Sequence, residues 1–222
     1  DYAGVNPETG ESMWWKNTYQ LDENKNLVLD AKGYPIWTGR EKTTSYAEAD
    51  YYVTEESTVP KWQGGFGTTV RFYGFDLSVN CTYQLGGKTL DASYASFMAS
   101  PSSSLGGRNF HKDLLDAWTP ENSTSNIPRF QYGDLYSSGT STRFLTSSSY
   151  LNINNINFGY TFPTSITKKL MLNSLRLYVA CENVVYFSAR KGFDPRLSYS
   201  SASNSTTYSP MRTISGGLTV QF

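Results

Sequence analysis

The sequence predicts an all-β fold: about six strands, part of a transmembrane antiparallel β-barrel with long extracellular loops. Three observations predict it. Side chains alternate with a period of two over long segments. Those segments run to about 10–14 residues, whereas globular strands centre near 5–6 and a tilted bilayer-spanning strand needs about 9–11. Short and long connections alternate between them, as periplasmic turns and extracellular loops do.

The first segment, Glu11 to Tyr19, sets Met13, Trp15 and Tyr19 against Trp14, Lys16 and Thr18 and is the least regular. Next, Phe66, Thr68, Val70 and Phe72 oppose Gly67, Thr69, Arg71 and Tyr73. A tight turn at Gly74 leads into Phe75, Leu77, Val79, Cys81, Tyr83 and Leu85, set against Asp76, Ser78, Asn80, Thr82 and Gln84. In Tyr150 to Phe162 the apolar phase changes from Leu151 and Ile153 to Ile156, Phe158, Tyr160 and Phe162. A β-bulge near Asn154-Asn155 re-phases such a strand. From Leu175 the apolar set is Leu175, Leu177, Val179, Cys181, Val185 and Phe187. The last segment puts Ile214, Gly216, Leu218, Val220 and Phe222 on one face.

The charges inside the four most regular strands are Arg71, Asp76, Arg176 and Glu182, each opposite the apolar set. In a barrel these four face the lumen, where pairing with each other across strands is their expected role. Rings at Phe72, Phe75, Tyr160, Phe162 and Phe222 then form one aromatic girdle, with Tyr83, Tyr150, Tyr186 and Phe187 in the other. A secreted β-sandwich, such as an adhesin or a carbohydrate-binding module, shows the same two-faced alternation and stands as the alternative. Six strands cannot close a barrel, since the smallest have about 8. Unpaired edges at hydrocarbon depth cost several kcal/mol per amide, so the membrane reading requires strands from outside this chain. The first residue is Asp1 rather than Met, as expected after processing or in a piece of something longer.

Composition narrows the function. Of 222 residues 17% are charged and 15% aromatic, and the mean hydropathy is −0.46. Lys and Arg number 19 against 19 Asp and Glu, so no basic excess exists to neutralise a nucleic acid. No run of about 18 apolar residues provides a transmembrane helix. Catalysis finds no constellation: His111 is the only histidine, in a short amphipathic helix ended by Pro120, and no Gly-x-Ser-x-Gly elbow occurs. Gly86-Gly87-Lys88-Thr89 lacks the earlier glycine of a phosphate loop, position 82 being Thr. Asp22-Glu23-Asn24-Lys25-Asn26 starts like a calcium loop, but Leu27 and Gly33 replace its turn glycine and bidentate Glu, leaving a polar hairpin turn. No enzyme, cofactor or metal site is expected. Cys81 and Cys181 fall on apolar faces of strands separated by one other strand. At about 9–10 Å they lie beyond the roughly 7 Å limit for a disulfide and are expected as free thiols. Substrate or lid contacts are expected from loop rings and planar donors, namely Trp37, Trp118, Arg129, Tyr132 and Arg196. Rings suit sugars and Arg suits carboxylates, so these residues leave glycan and peptide open.

An ordered set of local motifs carries a family resemblance over essentially the whole chain. It runs Ala3-Gly4-Val5-Asn6-Pro7-Glu8-Thr9-Gly10, Pro60-Lys61-Trp62-Gln63-Gly64-Gly65-Phe66 and Gly74-Phe75-Asp76-Leu77-Ser78. It continues with Ala117-Trp118-Thr119-Pro120-Glu121-Asn122-Ser123-Thr124, Arg143-Phe144-Leu145 and Tyr150 to Pro163. Glu182-Asn183-Val184, Gly192-Phe193-Asp194-Pro195-Arg196 and Gly216 to Phe222 close the series. In this order and spacing the motifs resemble the C-terminal barrel portion of the SusC/RagA family of TonB-dependent outer-membrane transporters. The resemblance implies that residues 1–222 are the final strands of a barrel of about 22 strands, whose plug and TonB box are not in this chain. It implies import of glycans or peptides across the bacterial outer membrane, a SusD-like surface lipoprotein as lid, and energy from TonB. A dimer of the transporter–lid pair fits the same resemblance. Phe222 resembles the terminal aromatic read by the barrel-assembly machinery.

Overall fold

A computed structural model describes residues 1–103, 109–196, 203–204 and 209–222. The connection expected over Arg190 to Arg212 therefore lies partly outside the described residues. The strands are β1 (Tyr2–Val5), β2 (Ser12–Tyr19), β3 (Trp37–Thr43), β4 (Trp62–Phe72), β5 (Phe75–Leu85) and β6 (Lys88–Asp91). They continue with β7 (Leu145–Ser147), β8 (Tyr150–Thr161), β9 (Ser174–Ser188), β10 (Ser203–Asn204) and β11 (Thr213–Gln221). The chain splits into two compact units, Asp1–Glu55 with Asp91–Leu145, and Glu56–Leu90 with Thr146–Phe222.

The second unit carries a five-stranded antiparallel sheet in the order β11-β9-β8-β5-β4. Its strands are 9, 15, 12, 11 and 11 residues long in that order, the span of bilayer-crossing strands rather than globular ones. Register places each apolar set on one face: Thr68, Val79, Ile156 and Cys181 line up, as do Val70, Leu77, Phe158, Val179 and Gly216. No second layer of described residues covers this face. Phe158 is 47% exposed, Val179 53% and Ile214 70%, an apolar surface larger than soluble monomers normally present. The interleaved dry core of a sandwich is not what these residues form.

Turn chemistry decides the connections. Tyr73 and Gly74 both have positive φ, 46° and 89°, the type I′ pattern whose twist suits a two-residue hairpin between β4 and β5. Gly74 is required twice over: a Cβ there would stand 2.6 Å from the Thr161 carbonyl, and its own carbonyl accepts from Thr161 N–H at 2.7 Å. A short helix, Thr164–Thr167, and a 3₁₀ turn, Lys168–Leu170, join β8 to β9 at the same end. The long connections leave from the opposite end, beyond Leu85, Tyr150, Ser188 and Thr213. β8 carries the expected bulge: Asn80 pairs Asn155 and Cys81 pairs Ile153, so Asn154 is extra. β9 answers with its own irregularity, since Ile153 pairs Val185 while Asn155 pairs Glu182. Asn183, at φ 50°, sits within it.

Two expectations change. The sheet takes five of the six expected strands, with β4 and β11 as edges that pair with no further strand among the described residues. Glu11 to Tyr19 instead supplies β2, which pairs with β1 and β3 in a separate sheet of the first unit. At 8 residues it is short for a bilayer, and it buries Trp14 to 3% exposure. The second change concerns the upper girdle. Tyr150 pairs Gln84 and Tyr186 pairs Asn152, which puts both rings on the polar face and leaves Tyr83 and Phe187 on the apolar one. Both cysteines are free, with β8 between their strands.

In the first unit the polar hairpin forms as expected. Asp22 Oδ1 accepts from Asn24 and Asn26 N–H, and a second turn of the same build follows, Asp30 Oδ1 accepting from Lys32 and Tyr34 N–H. The unit packs around Met98 and Phe144.

Candidate functional site

The polar face of the main sheet is the first candidate surface. Asp76 on β5 and Arg176 on β9 form a bidentate pair, Nε to Oδ1 at 3.0 Å and Nη2 to Oδ2 at 2.6 Å. They reach each other over Gly159 of the intervening β8, where any Cβ would stand 2.7 Å from both the guanidinium carbon and Asp76 Oδ1. Tyr178 lies beside the pair, 5.3 Å from the Arg176 guanidinium, and its ring covers Gly217 on β11. Farther along, Asn80 Nδ2 donates to Asn155 Oδ1 at 2.9 Å and Thr82 Oγ1 to Asn154 Oδ1 at 3.0 Å. Gln84 Nε2, 2% exposed as a residue, donates to the Ser148 carbonyl at 3.1 Å. The surface is a wall of amides and hydroxyls on which Asp76 and Arg176 neutralise each other.

Of the four polar-face charges, Asp76 and Arg176 pair with each other. Arg71 stands opposite Asp76, and Glu182 opposite Asn155 and Thr213. Neither makes an ion pair among the described residues.

The loop residues divide sharply. Trp118 donates its indole N–H to the Pro7 carbonyl at 3.1 Å and lays its ring on Gly10, whose φ is 74°. Arg129 donates to the Thr9 carbonyl at 3.1 Å and to Glu11 Oε1 at 3.0 Å. These two clamp the Asn6–Glu11 turn, joining motifs more than a hundred residues apart in sequence. Arg196 is held by Asp194, Nε to Oδ1 at 2.8 Å, and lies 5.0 Å over the Tyr186 ring. Burial works to raise the Asp194 carboxyl, but hydrogen bonds from Arg196 and Ser209 together with the Arg196 charge outweigh it and hold the group below the usual carboxylate range. Trp37 and Tyr132 keep exposed rings. Of the five expected loop residues, only those two present rings with no side-chain partner among the described residues, and Trp37 opens β3, paired with Tyr19, rather than lying in a loop. Phe222, just beyond β11, is exposed.

His111 is structural. Its Nδ1 accepts from Asp113 N–H at 3.2 Å, capping the 3₁₀ helix Lys112–Asp116, and its ring meets Tyr94 edge-on at 4.9 Å. Tyr94 donates to Asp113 Oδ2 at 2.8 Å; burial first, then that carboxylate, pushes its hydroxyl pKa up to about 12. Arg143, lowered by burial, donates to the Ser137 carbonyl at 2.7 Å and lies over Phe144. Among the described residues no group of three His, Cys, Asp or Glu is placed to hold a metal ion.

Sequence reasoning did not single out Gly159, Gly217 or Tyr178. The available signal was an in-register arrangement: a glycine on the polar face beside a strand carrying Arg or Tyr at the facing position.

No family model matches the sequence. The chain is 27% identical over 173 residues to "TonB-dependent receptor P3" of Formosa agariphila, covering 73% of this chain and 16% of that protein. It is 26% identical over 145 residues to "TonB-dependent receptor P39" of the same organism, covering 60% and 13%. The fold matches the RagAB peptide importer in its closed-closed state with a TM-score of 0.73 at 24% identity, covering all of this chain and 22% of that one. A second structure, of the RagAB peptide transporter, matches at 0.71 and 23% identity, with the same coverage. The chain thus spans at most about a fifth of the length of the proteins it matches.

Proposed function

Since the chain is of the SusC/RagA type of TonB-dependent receptor, we propose that it forms barrel wall and loops of an outer-membrane importer of oligomeric nutrients. The observation that carries this is the uncovered apolar face, borne on strands of 9 to 15 residues whose opposite face is polar. Hydrocarbon is the environment such a face requires, and strands from outside this chain would pair β4 and β11. The four charges Arg71, Asp76, Arg176 and Glu182 then line the lumen, and the long connections lie on the extracellular side.

The protein moves solutes and catalyses no reaction. Amide and hydroxyl side chains let an oligomer pass along the wall by exchanging hydrogen bonds, without one dominant trap. A SusD-like lipoprotein would cap the mouth, with Trp37 and Tyr132 as the exposed rings available to lid or substrate. TonB would supply energy through parts of the protein outside this chain, and Phe222 would mark the barrel for assembly.

The test is uptake. A strain lacking the gene should lose import of labelled oligopeptides or oligosaccharides, and regain it with the intact gene but not with one deleted for Glu56–Phe222. Unchanged import of both classes in the deletion strain would sink the reading.

A further inference from the structure

Between Thr161 on β8 and Ser174 on β9 the charged residues are Lys168 and Lys169, with no acidic residue beside them. Ile166, Leu170 and Met171 share the same stretch, and all three are exposed. Both lysines are exposed as well, and neither forms an ion pair among the described residues. The helical turn ends in a Schellman motif. Leu172 N–H donates to the Thr167 carbonyl at 3.0 Å, and Met171 N–H to the Lys168 carbonyl at 3.1 Å. Met171 therefore takes the left-handed position, φ 55° and ψ 34°, where glycine or asparagine fits with less strain. The chain places a methionine there instead, at 90% exposure. A strained backbone that presents an apolar side chain outward points to a use for that side chain.

Its place in the fold says what the use is. On the apolar face of the sheet the rings of Phe158, Phe75, Tyr160 and Phe162 form a continuous file, with centroids 5.8, 4.5 and 5.0 Å apart in turn. The file ends at Phe162, and the turn begins at the next residue, Pro163. Aromatic rings favour the level where hydrocarbon gives way to headgroups. Ile166, Leu170 and Met171 extend the apolar surface past those rings, and the two lysines add positive charge beside them. A lysine keeps its stem among apolar groups while its ammonium reaches a phosphate. Water satisfies the ammonium groups but not the three apolar side chains. An acidic protein surface would satisfy the charges, yet continuity with the apolar face of the strands favours a lipid.

We propose that the β8–β9 connection is an interfacial anchor for anionic phospholipid, with Lys168 and Lys169 on the headgroup phosphates and Ile166, Leu170 and Met171 among the acyl chains. The inference rests on the reading of the sheet as barrel wall in a membrane, and adds to it a lipid-binding site with a charge preference.

The test uses the intact receptor, in detergent and in vesicles of phosphatidylcholine alone or mixed with phosphatidylglycerol, read by hydrogen exchange. Residues 163–173 should exchange about tenfold more slowly with phosphatidylglycerol present than without it. That difference should vanish near about 1 M salt, where the screening length falls to about 3 Å. Lys168→Gln combined with Lys169→Gln should abolish the difference while the amides of β5 and β8 stay protected. Met171→Asn separates anchoring from folding. Asparagine accepts the left-handed backbone more readily, so the variant should melt no lower in detergent yet exchange faster in both vesicles. Equal exchange in the two vesicles, a difference that survives the double substitution, or slowing only by an added periplasmic protein would each overturn the proposal. Two failures are distinguishable. A receptor inserted with β5 and β8 protected, but with 163–173 exchanging as in detergent, sinks the anchor alone. A receptor that enters neither vesicle sinks the membrane reading and the anchor with it.

Discussion

Arg176 and Asp76 grip one another across a strand that belongs to neither of them. Gly159 makes this possible, because it leaves the polar face of β8 bare where the guanidinium must cross. The pair therefore staples β5 and β9 together through β8, and it does so near the end of the sheet where the short turns lie. Replacing Gly159 with Val should force the guanidinium aside and cost about 1–3 kcal/mol by overpacking. Asp76→Asn should cost about 1 kcal/mol or less, since both side chains retain solvent access. Heat-induced unfolding of the purified barrel, followed by its shift in gel mobility, measures both. The double variant should be less destabilised than the sum, because the Gly159→Val change already breaks the pair.

Face assignment has its own test. Val79→Arg or Leu218→Arg places a charge on the apolar face, which should cost about 2–4 kcal/mol near mid-bilayer and lower the surface level of folded protein. Ser78→Arg and Thr219→Arg point to the polar face and should leave surface levels near normal. Immunoblots of outer-membrane fractions read the result, and the reverse ranking would invert the faces.

The clamp on the Asn6–Glu11 turn predicts a local effect. Gly10→Ala meets both a φ of 74° and the Trp118 ring, so it should loosen the turn more than an ordinary Gly→Ala change. Trp118→Ala should loosen it too, by about 1–3 kcal/mol for a half-buried ring. Limited proteolysis should cut near Asn6–Glu11 faster in both variants.

Asp194 supplies a pH dependence. Its folded carboxyl lies below the ordinary carboxylate value, so the stability it contributes is present above that value and is lost as pH falls through the lowered one. Hydrogen exchange in residues 190–196 should accelerate in that acid window, and Asp194→Asn should abolish the dependence. An unchanged exchange profile in the variant would show that another group controls the segment.

Much of the main sheet was legible from alternation, because a strand with one apolar and one polar face shows both at every second residue. The bulge at Asn154 was legible for the same reason: an extra residue shifts the apolar phase, and Ile153 to Ile156 records the shift. The segment Glu11 to Tyr19 was misplaced because alternation reports that a strand has two faces, not which neighbour it pairs with. The upper-girdle assignment of Tyr150 and Tyr186 failed because a ring is equally at home in a lipid interface and on a polar wall.

Alternation and length in the chain alone determined the strands and their two faces, since these follow from local geometry repeated every two residues. Which charges meet, and which rings are used up in holding loops, was decided only in three dimensions. Asp76 finds Arg176 a hundred positions away, and Trp118 is committed to Gly10, because register and packing bring distant residues within a few ångströms. No spacing rule along the chain encodes such a contact.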